Sequence, residues 1–195
     1  MGKAVVISGT PGTGKTSVAL KLSKLLKAKY LNLSDLAIRK GLIKGEDIER
    51  ETFVIDEGRV TEVVATLIKL SDGTVVIDSH YGELIPDYLV LKIFVLRTHP
   101  AELLKRLRRK GYPDAKIREN LEAELTGVCV NNALSLHPQS KVCEVDTTSL
   151  SIEEVAERIV DILEGRKECV VGIDWLSSEI PSDVLSFILS GQNPD

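Results

Sequence analysis

The chain has 195 residues, a formal net charge of −4, 43% hydrophobic residues and 28% charged residues. This length is enough for one domain with its own core, and the composition is that of an ordinary globular protein. The acidic balance argues against a strong general nucleic-acid binder and against a membrane-surface protein, so any site for a polyanion must be local.

The cysteines and the lengths of the apolar runs indicate the cellular compartment of the protein. Cys129, Cys143 and Cys169 are odd in number and show no C-x-x-C spacing. This pattern favours buried free thiols in a reducing compartment over disulfides or a zinc site. The chain enters an apolar segment at once, and no apolar run reaches membrane-spanning length. We therefore expect a cytoplasmic protein without a signal peptide, or a nuclear one if the source is eukaryotic.

Short apolar runs alternate with helix-period segments, which is typical of a parallel sheet covered by helices on both faces. The predicted buried strands are residues 4–7, 29–31, 74–77, 93–96 and 142–145. The predicted helices are residues 15–27, 59–70, 100–110, 114–133 and 152–163. A capping box, formed by Ser151 and Glu154, opens the last of these helices.

Two segments depart from this alternation. Residues 32–57 are mixed in character and without a long period, which predicts a small inserted helical lobe. The tail beyond Gly165 contains an apolar run at residues 169–173 and the single tryptophan, Trp175, and residues 191–195 are expected to fray. We expect Trp175 to pack the tail onto the body rather than to stack on a ligand.

The stretch GTPGTGKT, residues 9–16, follows the first predicted strand and precedes the first predicted helix. It matches G-x-x-x-x-G-K-[ST], in which glycines let successive backbone amides converge on one anion beside a helix N-terminus. Lys15 supplies a charge at the outer phosphates, and the Thr16 hydroxyl is placed to ligate magnesium. A merely flexible glycine loop would not explain Lys15 and Thr16, so the stretch predicts a phosphate site.

A second candidate is TVVIDSH, residues 74–80. An acidic residue that closes a buried strand holds magnesium in P-loop enzymes, and Asp78 fits that role. If the extended geometry continues, His80 points to the same side as Asp78. The alternatives are a strand-end turn residue for Asp78, and a capping or core role for His80.

A basic run extends from Arg97 to Arg118 in this acidic chain. The helix after Pro100 would turn its leucines to the core and its basic residues, Lys105, Arg108 and Arg109, to the other side. One interpretation is a solvated helix face. The other is a lid that carries basic residues over the phosphates and stabilises the charge of phosphoryl transfer once water is excluded, with a hinge at residues 111–113.

Six stretches of the chain resemble the nucleoside monophosphate kinases. Within that group they are most similar to the archaeal and eukaryotic adenylate kinase isoenzyme 6 family, also described as ribosome-assembly ATPases. The stretches are GTPGTGKTSVA (9–19), YLNLSDLA (30–37), IDEGRV (55–60), VIDSH (76–80), FVLRT (94–98) and residues 107–120, within a resemblance over about residues 3–165. The Asp-x-His motif is the discriminating element.

The resemblance implies an α/β P-loop NTPase fold with a five-stranded parallel sheet and helices on both faces. It implies a kinase domain at residues 1–165, with a short monophosphate-binding lobe at 32–56 and a short lid at 109–119, and a tail at 166–195 that packs on the body. The implied ligands are Mg2+, ATP and AMP. ATPase activity and a universal small-subunit ribosomal protein as partner are also implied.

The predicted site combines the motif residues with this resemblance. The residues expected to bind ATP are Gly9, Gly12, Thr13, Gly14, Lys15, Thr16, Ser17 and Arg109. The expected catalytic group is Lys15, Asp78, His80, Arg109 and Lys110, with Thr16 and Asp78 as magnesium ligands and Asn32, Asp35 and Arg39 at the acceptor. Either Arg109 or Lys110 can take the lid role.

The sequence thus favours transfer of a phosphoryl group from MgATP to AMP, or to water when the acceptor site is empty. One alternative is a nucleotide-gated assembly factor for the ribosome, in which kinase activity is incidental. Another is a P-loop kinase of a different small acceptor.

Overall fold

The computed structural model describes residues 1–47, 52–79 and 84–190. Its main sheet consists of β1 (Lys3–Gly9), β2 (Lys29–Asn32), β5 (Thr74–Asp78), β6 (Val90–Arg97) and β7 (Val142–Asp146). All five strands are parallel and lie in the order β2-β5-β1-β6-β7. The five predicted strands and the α/β P-loop fold class are therefore confirmed.

Eight α-helices surround the sheet in the described part of the chain. They are α1 (Lys15–Leu25), α2 (Leu33–Arg39), α3 (Glu57–Lys69), α4 (Pro100–Arg109), α5 (Asp114–Leu125), α6 (Val128–Leu136), α7 (Ile152–Leu163) and α8 (Ser182–Leu189). The capping box of Ser151 and Glu154 is present at the start of α7. None of the helices in the described ranges is long and apolar enough to cross a membrane.

The prediction of one helix over residues 114–133 is wrong, because the chain breaks between α5 and α6. Gly127 precedes α6 with φ at 65°, in the left-handed region. Glycine adopts this region at little cost because it has no Cβ, so one helix ends and a new one begins.

The predicted helical lobe is only partly helical. Helix α2 is followed by an antiparallel pair, β3 (Ile43–Asp47) and β4 (Thr52–Ile55), which lies outside the main sheet. Charged residues such as Lys44 interrupt the β-branched residues of this pair. The segment therefore lacks the continuous apolar run that identified the buried parallel strands.

Side chains of the central strand alternate between two apolar clusters. Val6 packs with Val60 and Val64 of α3 on one face of the sheet. Val5 packs with Val18 of α1 and with α7 on the other face. Both valines of β1 are fully buried. The carboxyl end of β1 is therefore held from both sides, and this is the end at which α/β sheets bind their ligands.

The C-terminal tail packs against α4 and α5 and against the body. Val184 and Ile188 of α8 join a third apolar cluster with leucines of α4 and with Ile117 and Leu121 of α5. Trp175 is 8% exposed, and its Nε1 donates to Oε1 of Glu124 at 3.0 Å. The packing role predicted for Trp175 is confirmed.

The expectation of free thiols is wrong for two of the three cysteines, since Cys143 and Cys169 form a disulfide. Cys143 lies in β7, and the tail runs beside that strand, where the Glu144 amide donates to the Val170 carbonyl at 2.8 Å. The two Cα atoms are 5.2 Å apart although the residues are 26 apart in sequence. Sequence spacing gave no sign of this proximity, which depends on the path of the tail.

We expect Cys169→Ser to lower the free energy of unfolding by about 3 kcal/mol, because the disulfide restricts the unfolded chain. Urea denaturation without reductant measures this difference. Dithiothreitol should destabilise the parent to the level of the variant and leave the variant unchanged. Equal stability of the oxidised parent and the variant would contradict the pairing.

Candidate active site

The glycine-rich loop joins β1 to α1, and two of its glycines have left-handed backbones without room for a side chain. At Gly9, with φ at 135°, an added Cβ would lie 2.4 Å from the carbonyl oxygen of Leu96. At Gly12, with φ at 96°, it would lie 2.7 Å from the side chain of Leu103. Glycine is therefore required at both positions, and it allows α4 to approach the loop.

Lys15 begins α1, and its Nζ donates to the carbonyl of Thr10 at 3.0 Å. The hydroxyl of Thr13 donates to the same carbonyl at 2.9 Å. Burial lowers the pKa of Lys15, while the neighbouring charges of Asp78 and Glu124 oppose that shift. The loop thus holds a lysine beside its own amides, as a phosphate-binding site requires.

Three side chains converge on Asp78 at the end of β5. Its Oδ2 accepts hydrogen bonds from Thr16 Oγ1 at 2.7 Å, Asn32 Nδ2 at 2.8 Å and the Tyr30 hydroxyl at 3.0 Å. Asn32 is the direct neighbour of Asp78 in the adjacent strand β2. The carboxylate is therefore fixed in orientation beside the start of α1.

The Thr16 hydroxyl and the Asp78 carboxylate fit magnesium. Both are oxygen ligands, and Mg2+ is commonly held by one or two carboxylates together with substrate phosphates and water. Within the described ranges, no group of three or more His, Cys, Asp or Glu residues is arranged to hold a metal ion. The pair therefore suits an ion that arrives with a phosphate ligand.

Two cavities meet at the phosphate loop. The first has a volume of about 230 Å³ and is lined by loop residues, by Asn32, Ser34 and Asp78, and by Lys110 and Tyr112. The second has a volume of about 580 Å³ and lies between the loop, the end of α4 and the segment that follows β7. Lys110 lines both cavities, whereas Arg109 lines only the second.

Arg106 ties α4 to the segment after β7, at the wall of the second cavity. Its Nη2 donates to the carbonyls of Thr147 at 2.8 Å and Thr148 at 3.2 Å, and its Nε donates to Glu102 at 3.0 Å. Arg106 belongs to the basic run identified in the sequence, but no separate role was predicted for it. A signal was present, since Arg106 is four residues after Glu102 and can pair with it on one helix face.

Comparison with known proteins identifies the family. The family model of the AAA domain matches residues 5–127. A Pyrococcus furiosus protein named "Putative adenylate kinase" is 39% identical over 191 residues, which cover 96% of this chain and 98% of the relative. A Saccharolobus solfataricus protein of the same name is 37% identical over 172 residues, covering 88% and 87%. The chain belongs to this adenylate kinase-like family.

Solved structures place this adenylate kinase-like chain among P-loop kinases by fold. Shikimate kinase from Acinetobacter baumannii, in complex with shikimate, has a TM-score of 0.57 at 17% identity and covers 86% of this chain and 96% of its own. A gluconokinase from Sinorhizobium meliloti 1021 has a TM-score of 0.56 at 16% identity, with 84% and 93% covered. At these identities the likeness shows the fold alone.

The residues predicted for the acceptor are only partly brought together. Asn32 lines the first cavity, but its amide is already bonded to Asp78 and its Oδ1 caps α2 by accepting from the Asp35 amide at 2.9 Å. Asp35 and Arg39 form an exposed ion pair at 3.7 Å and line neither of the two cavities. Their role toward an acceptor stays a prediction, and His80 lies outside the described residues.

Tyr30 is a residue that sequence reasoning missed. Burial raises the pKa of Tyr30 to about 12, and the nearby charge of Asp78 adds to this effect. Its hydroxyl therefore stays protonated at neutral pH and can donate to Asp78. Strand alternation provided a signal, because residues 30 and 32 of one strand point to the same side.

We expect Asp78→Asn to remove most of the benefit that magnesium gives to ATP binding, because the amide keeps the shape of the side chain and loses its charge. The measurement is ATP affinity with Mg2+ and with EDTA. Asp72→Asn is the matched control, since Asp72 is exposed at the opposite end of β5. An Asp78→Asn variant with the parent's full magnesium effect would place the metal elsewhere.

Proposed function

We propose that this protein transfers the terminal phosphoryl group of MgATP to AMP. The supporting observation is that two cavities meet at Gly14, Ser17 and Lys110. Lys15 and the oxygen ligands of Thr16 and Asp78 line the first of these cavities. Such a junction offers separate places for a donor and an acceptor, with cations where charge is transferred. AMP as the acceptor rests on the names of the archaeal relatives and on the family resemblance.

The proposed roles of the residues follow from where they lie. Lys15 and the loop amides hold the donor phosphates, and Thr16 with Asp78 would hold magnesium, which neutralises phosphate charge when bound. Lys110 lies along both cavities and stabilises the charge that develops during transfer. An acceptor phosphate is already an anion, so the reaction needs no nucleophile from the protein.

The second cavity is the proposed place for the adenine and ribose of ATP. It is open beside Gly14 and Ser17, which adjoin the phosphate site, and its far wall includes Leu150 and Ile152. Apolar side chains there would contact the base, and the planar guanidinium of Arg109 could stack on it. The first cavity, toward α2 and Ser34, remains for the acceptor phosphate.

The decisive experiment compares acceptors. ATP turnover is measured with AMP, other nucleoside monophosphates, shikimate or gluconate, and ADP and inorganic phosphate are quantified separately, with Lys15→Ala as inactive control. AMP should give the fastest ADP formation with little free phosphate. Faster transfer to a non-nucleotide acceptor would replace the proposal with another kinase.

The lid comparison separates Arg109 from Lys110. We expect Lys110→Ala to lower the saturated rate of transfer roughly 100-fold while changing ATP affinity less, since it acts mainly on transition-state charge. Arg109→Ala should weaken ATP affinity more than the rate, because Arg109 lines only the second cavity. Lys105→Ala, exposed on the same helix, is the control. If Lys110→Ala lowers ATP affinity and leaves the saturated rate unchanged, Lys110 belongs to an ordinary binding face and does not act on the transition state.

A second candidate activity is ATP hydrolysis in the absence of AMP. The order Asp78-Ser79-His80 favours it, because an imidazole near the terminal phosphate can orient water and accept its proton. The resemblance to the adenylate kinase isoenzyme 6 family adds a role in small ribosomal subunit maturation, with a ribosomal protein as partner. Binding of that partner should then depend on whether ATP or ADP is bound.

We expect His80→Ala to lower AMP-independent hydrolysis at least about tenfold, the low side of a general-base contribution. AMP-dependent ADP formation should fall less, because the acceptor phosphate needs no deprotonation. Phosphate and ADP release are measured on the same samples. Equal losses in both reactions would assign His80 to geometry or metal binding, and no loss would assign it a capping or core role.

A further inference from the structure

A buried network connects the phosphate loop to the C-terminal tail. We propose that Glu124 is a positioning residue of the nucleotide site, which holds the phosphate loop through Thr10 and is itself held by Trp175 of the tail. This inference deepens the proposed kinase function and rests on it for its rate measurement.

The link to the loop is direct. The Thr10 hydroxyl donates to Oε2 of Glu124 at 2.6 Å, and both side chains are almost completely buried. The carbonyl of the same threonine accepts from Lys15 Nζ and from the Thr13 hydroxyl. Glu124 therefore acts on the groups that would contact phosphate through one residue, Thr10. A shift of Thr10 would also shift its carbonyl oxygen, to which Lys15 donates.

The other carboxylate oxygen is held by three donors. Oε1 of Glu124 accepts from Arg97 Nε at 2.8 Å, the Thr98 amide at 3.0 Å and Trp175 Nε1 at 3.0 Å. Arg97 Nη2 also donates to the backbone carbonyl of Glu124 at 2.7 Å. Because both of its oxygens are bonded, the Glu124 carboxylate has a single orientation. The hydrogen bond from Thr10 to this fixed carboxylate then holds the Thr10 side chain in place.

The tail contributes to the same network through Glu144. Arg97 bridges Glu124 and Glu144, and Oε2 of Glu144 accepts from the backbone amides of Gly172 and Ile173. The tail thus bonds to both carboxylates, but only Glu124 reaches the loop. Glu144 therefore provides a matched comparison, with the same arginine partner and the same burial.

The pairing of Glu124 with Arg97 does not by itself require the bond to Thr10. Glu124 and Glu144 share the buried guanidinium of Arg97, and a buried ion pair is often no more stable than an apolar replacement. Glu124 also accepts a hydrogen bond from the hydroxyl of Thr10 in the phosphate loop. This bond can support the loop, and rigid support of binding groups raises their effectiveness.

The test compares substitutions that preserve shape. Thr10→Val and Glu124→Gln should each lower kcat for AMP phosphorylation roughly tenfold or more and weaken MgATP binding, as loss of site support does. Thr10→Ser, which restores the hydroxyl, should return kcat to within about threefold of the parent. Trp175→Phe should give a smaller loss in the same direction. Glu144→Gln should lower the melting temperature and leave kcat per folded molecule unchanged.

The double variant of Thr10→Val with Glu124→Gln decides whether the residues act together. Its loss should be no larger than that of the stronger single variant, since both substitutions remove one link. Additive losses, a Thr10→Val variant with parental kcat and MgATP affinity, or an equal rate loss in Glu144→Gln would each overturn the proposal.

The MgATP affinities separate this inference from the proposed function. A parent protein that binds MgATP but phosphorylates no monophosphate would refute the AMP kinase. Weaker MgATP binding by Thr10→Val, with recovery in Thr10→Ser, would still support the positioning role of Glu124 in that case. If Thr10→Val and Glu124→Gln both bind MgATP as tightly as the parent, the positioning role is refuted and the proposed kinase function is not.

Discussion

The buried guanidinium of Arg97 is the constraint on which much of this structure depends. Its side chain is 2% exposed and bonded to the carboxylates of Glu124 and Glu144. Burial would lower the pKa of Arg97, but these two carboxylates outweigh burial and raise it. Removing one partner of such a cluster typically costs about 3–5 kcal/mol, so β6, β7, the end of α5 and the tail must meet at this point.

Helices α4 and α5 also pack against the tail, and α4 packs against the phosphate loop. Leucines of α4 lie where a side chain at Gly12 would be, and α8 packs on α4 and α5 from the other side. The guanidinium groups of Arg108 and Arg118 each lie within 6 Å of the ring centre of Phe187 in α8. A movement of α5 relative to α4 about Gly111, where φ is 72°, would therefore have to carry or release α8.

The chemistry of the candidate site follows from the order of the strands. Parallel strands β2, β5 and β1 end at the same edge of the sheet, which brings Asn32, Asp78 and the phosphate loop together. The Asp78 carboxylate is then oriented by hydroxyl and amide donors. A negative charge held in this way remains available to a cation that arrives with the nucleotide.

The sequence by itself determined the five strands of the main sheet, most helices, the phosphate loop and the acidic residue that ends β5, because each depends on a local pattern or a fixed spacing. It also determined that Trp175 packs inward. Only the tertiary structure decided that Cys143 meets Cys169, that Tyr30 bonds Asp78 and that Glu124 supports Thr10. Each of these contacts joins residues far apart in the chain, and strand order and the path of the tail, which no local pattern encodes, bring them together.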